Sequence, residues 1–180
     1  YNITGTTDLT INAAAVRGAN GGIFALNNGS GTLSITSSGT VVGGGNGIWA
    51  YNGNGTTDLT INTAAVTGAY DGIQAENYGS GNLSISSSGA VVGGDRGVYA
   101  KNGTGTNNLT INTAAVTGST EGIHAINEGT GSITITHSGA VTGTTGIKVD
   151  GRTNNSPATI NSYAPITGTG GFAIDLRGDG

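Results

Sequence analysis

The chain has no cysteine and no methionine, and only 2 prolines among 180 residues; charged residues make up 9% and aromatic ones 5%. Each shortage closes off a class of protein. Without cysteine there is neither a disulfide framework nor a thiolate metal site. Lys and Arg number 6 against 10 acids, a net charge of −4, and form no cluster, so the electrostatic footprint of a nucleic-acid binder is missing. No apolar run approaches the roughly 18–20 residues of a membrane-spanning helix. No charged segment leads into a short apolar one as in a secretion signal. The chain is therefore expected to be soluble, with no direct membrane insertion. Glu, Lys, Leu and Arg, which favour long helices, are scarce. Abundant instead are glycine, at 36 residues, and Thr, Ser, Asn, Ala, Ile and Val, a vocabulary of turns and strands. Glycine and proline together stay below the share of about a quarter or more that marks disordered low-complexity chains, and no Gly-X-Y period is present.

Self-similarity dominates what remains. LTINTAAVTG (Leu59 to Gly68) returns unchanged as Leu109 to Gly118 and, with two substitutions, as Leu9 to Gly18. Midway between these copies lie LSITSSGTVVG (Leu33 to Gly43), LSISSSGAVVG (Leu83 to Gly93) and ITITHSGAVTG (Ile133 to Gly143). The 50-residue period thus splits into units of about 25, starting at Leu9, Leu33, Leu59, Leu83, Leu109, Ile133 and Ala158. Each unit carries three segments of period-two alternation, the mark of strands: Leu-x-Ile, Val-x-Gly and Gly-Ile-x-Ala. Strands this short need partners from neighbouring units, and stacking in parallel at about 4.8 Å supplies them. Propeller blades and sandwiches need antiparallel hairpins, and a leucine-rich solenoid needs its Leu/Asn consensus; neither is present. The expectation is an all-β, right-handed parallel β-helix (β-solenoid), with handedness set by the general preference for right-handed parallel crossovers. Residues 1–180 are expected to form a single segment of about seven coils. Tyr1-Asn2 repeats as Tyr51-Asn52 in the middle of a unit, so the segment is expected to belong to a longer array.

Stacking turns repeat positions into columns. Glycines 18, 43, 68, 93, 118 and 143 end the second segment, where a corner demands positive φ or close backbone approach. Asn27, Asn52, Asn77, Asn102 and Asn127 follow the third and predict an amide ladder, with Asp150 and Asp175 in its last two places. Outward on the third strand stand Phe24, Trp49, Gln74, Tyr99, His124 and Lys148, with Leu26, Tyr51, Glu76, Lys101 and Ile126 beside them. Phe24, Leu26, Trp49 and Tyr51 are expected to form a contiguous apolar patch. Together with Gln74, Tyr99 and His124 they make the candidate contact surface. The first strand sends out hydroxyls at Thr10, Ser34, Thr60, Ser84, Thr110, Thr134 and Thr159, the kind of column an ice-binding solenoid uses.

The pairing of LTIN or LSIS with GIxAxN, as in GIQAEN (Gly72 to Asn77) and GIHAIN (Gly122 to Asn127), joined by NGSGT-like turns, carries a resemblance. Over essentially its whole length the chain resembles the β-helical passenger repeats of bacterial autotransporter (type V secreted) surface proteins and adhesins. The resemblance implies a virulence-associated protein of a Gram-negative cell surface or outer membrane, with a signal and an anchoring barrel outside this segment. It also implies adhesion, aggregation, biofilm formation or display of another domain. The expected partners are a host-cell or neighbouring-cell surface protein or glycan, or a second copy of the chain joined end to end.

Catalytic and metal readings find little support. A β-helix enzyme acting on carbohydrate would need clustered acids on one groove. Asp8 and Asp58 share a repeat position with Asn108 and read as turn caps. Asp71, Asp95 and Glu121 fall in successive units and could approach one another, but calcium needs six to eight oxygens. His124 and His137 lack a partner at repeat spacing and are expected to be solvated. Arg177-Gly178-Asp179 spells an integrin-type tripeptide, and Asn28-Gly29-Ser30 and Asn54-Gly55-Thr56 are glycosylation triplets, all expected by chance in such a composition. The reading is a non-enzymatic adhesive or structural scaffold without cofactors or metals. The alternatives are an ice-binding solenoid and a carbohydrate-active β-helix enzyme.

Overall fold

The computed structural model describes residue 2 and residues 7–151 and 156–178. Three seven-stranded sheets, every pairing parallel, run the length of the molecule, and no helix occurs among the described residues. The first sheet stacks Leu9–Ala13, Leu33–Ser37, Leu59–Thr63, Leu83–Ser87, Leu109–Thr113, Ile133–His137 and Ala158–Ser162. Val16–Gly18, Val41–Gly43, Val66–Gly68, Val91–Gly93, Val116–Thr117, Val141–Gly143 and Ile166–Gly168 form the second. The third runs Ile23–Asn27, Ile48–Asn52, Ile73–Asn77, Val98–Asn102, Glu121–Asn127, Thr145–Gly151 and Ile174–Gly178. One strand from each sheet makes a coil, and the described residues form a β-solenoid of about seven coils.

Register follows the repeats residue for residue in every pairing except that of the last third-sheet strand. Leu59 pairs with Leu33 and with Leu83, and Ile61 with Ile35 and Ile85, so like side chains stack on like. Because side chains alternate along a strand, every second residue points into the bore. Leu33, Ile35, Val41, Ile48 and Ala50 are completely buried, as are their counterparts along the middle coils. A thin core with no Phe, Tyr or Trp among its buried residues suits a bore walled by three narrow strands, and the alternating Leu, Ile, Val and Ala fill it layer by layer.

The glycine column is required by close approach. A Cβ at Gly43 would run into the carbonyl of Asn46, and one at Gly68, Gly93 or Gly118 into those of Asp71, Arg96 and Glu121. These residues lie where the second strand turns into the third, and the corner leaves no room for a methyl group. Positive φ, the other reason expected for glycine, occurs at Gly55 and Gly105 in the turns after the third strand.

One register departs from expectation. The repeat pattern aligns Phe172 with Ile147 and Ile174 with Val149, whereas the structure pairs Ile174 with Ile147 and Leu176 with Val149. A shift of two residues keeps every side chain on its own face, so alternation alone cannot choose between the two registers. The connection from Gly168 takes up the extra residues and leaves Phe172 65% exposed ahead of the strand. The same pairing moves Asp175 opposite Lys148. Asp150 stands opposite Ile126. Neither aspartate occupies the asparagine column.

Candidate functional site

The third strand carries both features singled out above, one at its inward end and one on its outer face. Asn27, Asn52, Asn77, Asn102 and Asn127 are fully buried at the corner that follows it. From Asn2 the amides form a chain. Asn2 Nδ2 donates to Asn27 Oδ1 at 2.9 Å, Asn27 to Asn52 at 3.0 Å, and Asn52 to Asn77 at 2.9 Å. Each also ties down its own turn, Asn27 and Asn77 accepting from the Gly29 and Gly79 amides at 3.1 Å. Beyond Asn77 the chain stops. Asn102 Nδ2 turns to the carbonyls of Asn107 and Asn108, and its Oδ1 has no partner among the described residues. Asn127 likewise donates to the Gly131 carbonyl at 2.9 Å. The predicted ladder is continuous over the first coils and becomes a row of separate turn clamps over the later ones.

On the outer face Phe24 stands opposite Trp49, with ring centroids 4.8 Å apart and planes inclined by 60°. Their exposures are 51% and 40%, unusual for rings this large on a free surface. Tyr70, in the turn before the third strand of the third coil, closes one side of a groove of about 450 Å³. Gly21 and Gly45 also line it, and Asn20 and Asn46 bring side-chain amides to it. Leu26 and Tyr51 are half-buried in the adjoining column and do not line it. Tyr51 packs instead on Tyr78, at 5.4 Å between centroids. The expected four-residue patch is thus two aromatic pairs. Tyr78, which completes the second pair, and Tyr70, which lines the groove, sit in turns at positions where other coils carry Gly, Asn, Asp, Thr or Glu.

Further along, the same face becomes an ionic and hydrogen-bonded weave. Gln74 accepts from Asn46 Nδ2 and donates to Glu76 Oε1, both at 2.7 Å. The Tyr78 hydroxyl donates to Glu76 Oε2 at 3.1 Å; burial, then the Glu76 charge, pushes its pKa up to about 12. The Arg96 guanidinium lies 4.0 Å from the Tyr99 ring centre and holds Asp71 with contacts of 2.9 and 2.7 Å. Lys101 reaches Glu128 at 3.1 Å.

Both histidines depart from expectation. His124, expected to be solvated, is only 8% exposed, its ring edge against Tyr99 and its Nε2 3.0 Å from Asp150 Oδ2. Burial lowers its pKa; the bond to Asp150 opposes that shift, and the nearby Lys148 charge adds to it. His137 points into the bore, in the column of Ser37, Thr63, Ser87 and Thr113, and is fully buried. Its Nδ1 is 2.9 Å from the Gly139 carbonyl, so that nitrogen carries the proton. It repeats the bond that Ser37 and Ser87 make to Gly39 and Gly89. Its place four residues after Ile133 was the signal available in the sequence.

The acids serve the backbone and the cations. Asp8 and Asp58 accept from the amides of Thr32 and Asn82 one coil on, and Asn108 does the same for Ser132, which makes the position a turn cap. The Thr32 amide holds Asp8 below the ordinary carboxylate range. Asp95 and Glu121 meet through the Thr120 hydroxyl, at 2.7 and 2.9 Å. Among the described residues no group of three or more His, Cys, Asp and Glu is placed to hold a metal ion. Asp179, the last residue of the Arg177-Gly178-Asp179 tripeptide, lies outside the described residues, and Arg177 is paired with Asp175 at 2.7 Å.

These features define a parallel β-solenoid whose third face passes from aromatic to ionic along the axis. Comparison with protein-family models, with curated proteins and with solved structures gives no match to the chain.

Proposed function

We propose that the chain is a non-enzymatic repeat scaffold of a bacterial cell-surface or secreted protein, and that it makes contact through the aromatic groove of Phe24, Trp49 and Tyr70. The observation that carries this reading is the groove itself. Further along the same face large side chains are tied into ion pairs and hydrogen bonds, whereas here two rings are about half open beside Gly21 and Gly45. Such a surface gains from being covered, at about 25 cal/mol per Å² of apolar area removed from water. A partner protein side chain or the apolar face of a sugar ring would fill it, with Asn20 offering a polar contact. The repeat-style resemblance to autotransporter passengers supports placing this scaffold on a cell surface, where a stiff array holds weak contacts away from the membrane and lets them add. The hydroxyl columns of the first sheet support ice binding less well, because the column beside them interleaves Asn12, Asn62 and Asn112 with Thr36, Ser86 and Thr136.

Trp49 is the sole tryptophan, so its fluorescence reports on the groove directly. Titration with cell-surface glycans or extracted surface proteins should shift its emission, and Phe24→Ser with Trp49→Ser should abolish cell adherence while circular dichroism stays unchanged. Full adherence by that folded double variant would overturn the reading.

A further inference from the structure

The sequence contains six Asn-Gly steps, at Asn20, Asn28, Asn46, Asn52, Asn54 and Asn102. At such a step the backbone nitrogen of the glycine can attack the side-chain carbonyl carbon of the asparagine. A C–N bond forms, the bond to the side-chain nitrogen breaks, and ammonia leaves with a five-membered succinimide behind it. Water then adds to either ring carbonyl and gives aspartate or its β-linked isomer; no oxidant or cofactor is needed. Glycine favours the step because no Cβ hinders the approach and the backbone is free to turn. Two conditions remain for the structure to set. The glycine N–H must not be held in another hydrogen bond, and the asparagine side chain must be free to swing onto it.

Four steps fail the first condition. Gly29 N–H donates to Asn27 Oδ1 at 3.1 Å. Gly47, Gly53 and Gly103 donate to the carbonyls of Asp71, Asn27 and Asn77 at 2.9, 2.8 and 2.8 Å. Asn52 and Asn102 also fail the second, since their amides are buried in the corner column. Asn46 is anchored on Gln74. At the other two steps neither the asparagine side chain nor the following N–H makes a hydrogen bond among the described residues, and Asn20 and Asn54 are both exposed. We propose that Asn20 and Asn54 are sites of spontaneous deamidation, and that hydrogen bonding of the glycine N–H, within the turn at Gly29 and from coil to coil at Gly47, Gly53 and Gly103, keeps the other four Asn-Gly steps inert. The fold supplies its own control. Gly53-Asn54-Gly55-Thr56 recurs as Gly103-Thr104-Gly105-Thr106, with Gly55 and Gly105 at φ of 88° and 89°, and threonine stands in the reactive place. At Asn20 the product would set a carboxylate in the lining of the aromatic groove. The chemistry holds whether or not that groove makes contacts.

The test is to incubate the folded chain in mildly alkaline buffer, then digest it and map masses residue by residue, with a parallel sample in urea. The folded protein should convert at Asn20 and Asn54 alone, releasing ammonia, while all six steps convert in urea. Asn54→Thr and Asn20→Gly, residues that other coils carry at these positions, should each remove one site with no loss of β-sheet signal. Conversion of Asn52 or Asn102 in the folded chain as fast as Asn54 would overturn the proposal. So would silence at Asn20 and Asn54 under conditions where they react in urea.

Discussion

Asn52 shows how much one buried side chain can tie together. It accepts from Asn27, donates to Asn77 and holds the carbonyls of Thr57 and Asp58 in its own turn. Asn52→Ala leaves the Asn27 donor and the Asn77 acceptor facing a void, and a buried group stripped of its partner costs about 1–3 kcal/mol. The urea midpoint should fall accordingly, and by less for Asn102→Ala, since Asn102 links to no neighbouring amide. His124 gives the molecule a pH response of definite sign. The groups facing it are Tyr99, Lys148, Glu121 and Asp150, and its folded-state pKa lies below the ordinary 6.5. The unfolded chain therefore binds the proton first. Stability should fall as pH drops from about 6.5 through the lowered folded-state value and be fully present above that window. Thermal midpoints measured across this range should flatten in His124→Gln.

At the scale of the strand, the second sheet is where substitution should be least tolerated for its size. Gly43→Ala adds one methyl group, yet that methyl meets the Asn46 carbonyl across a corner of fixed backbone. Forcing such contacts typically costs about 1–3 kcal/mol, and a drop in thermal midpoint without loss of sheet signal is expected. Strands were also the most legible part of the sequence. Leu59 and Ile61 declare a buried face by their alternation, and the recurrence of both in neighbouring units declares the register. Legibility failed where period two holds no information. Phe172, Ile174 and Leu176 share a face, so either of two registers satisfies the pattern, and loop length decided between them. Tyr70 and Tyr78 escaped notice because turns carry no alternation. The burial of His124 depends on neighbours from three coils, which no single repeat displays.

For the whole molecule, near-identical 50-residue periods mean that coils should be removable in pairs. Residues 59–108 form one 50-residue period, and deleting them joins Asp58 to Leu109, the step that Asn108 and Leu109 already make. The shortened chain should keep the same circular dichroism per residue, and its maximum dimension in X-ray scattering should fall by roughly 10 Å, two strand spacings. An unfolded product would show that the coils are not interchangeable, against the nearest-neighbour picture of solenoids.

The amide ladder also gives the molecule a sense of direction that its symmetric-looking coils conceal. Each rung gives its hydrogen toward the higher-numbered coil and takes one from the lower. From Asn2 to Asn77 the run is polar, like a crystal along a polar axis, and it ends where Asn77 turns its amide hydrogens to the Gly81 and Asn82 carbonyls of its own turn. The two faces of a coil in this run share one architecture yet are different surfaces, one offering an amide hydrogen and the other an amide oxygen.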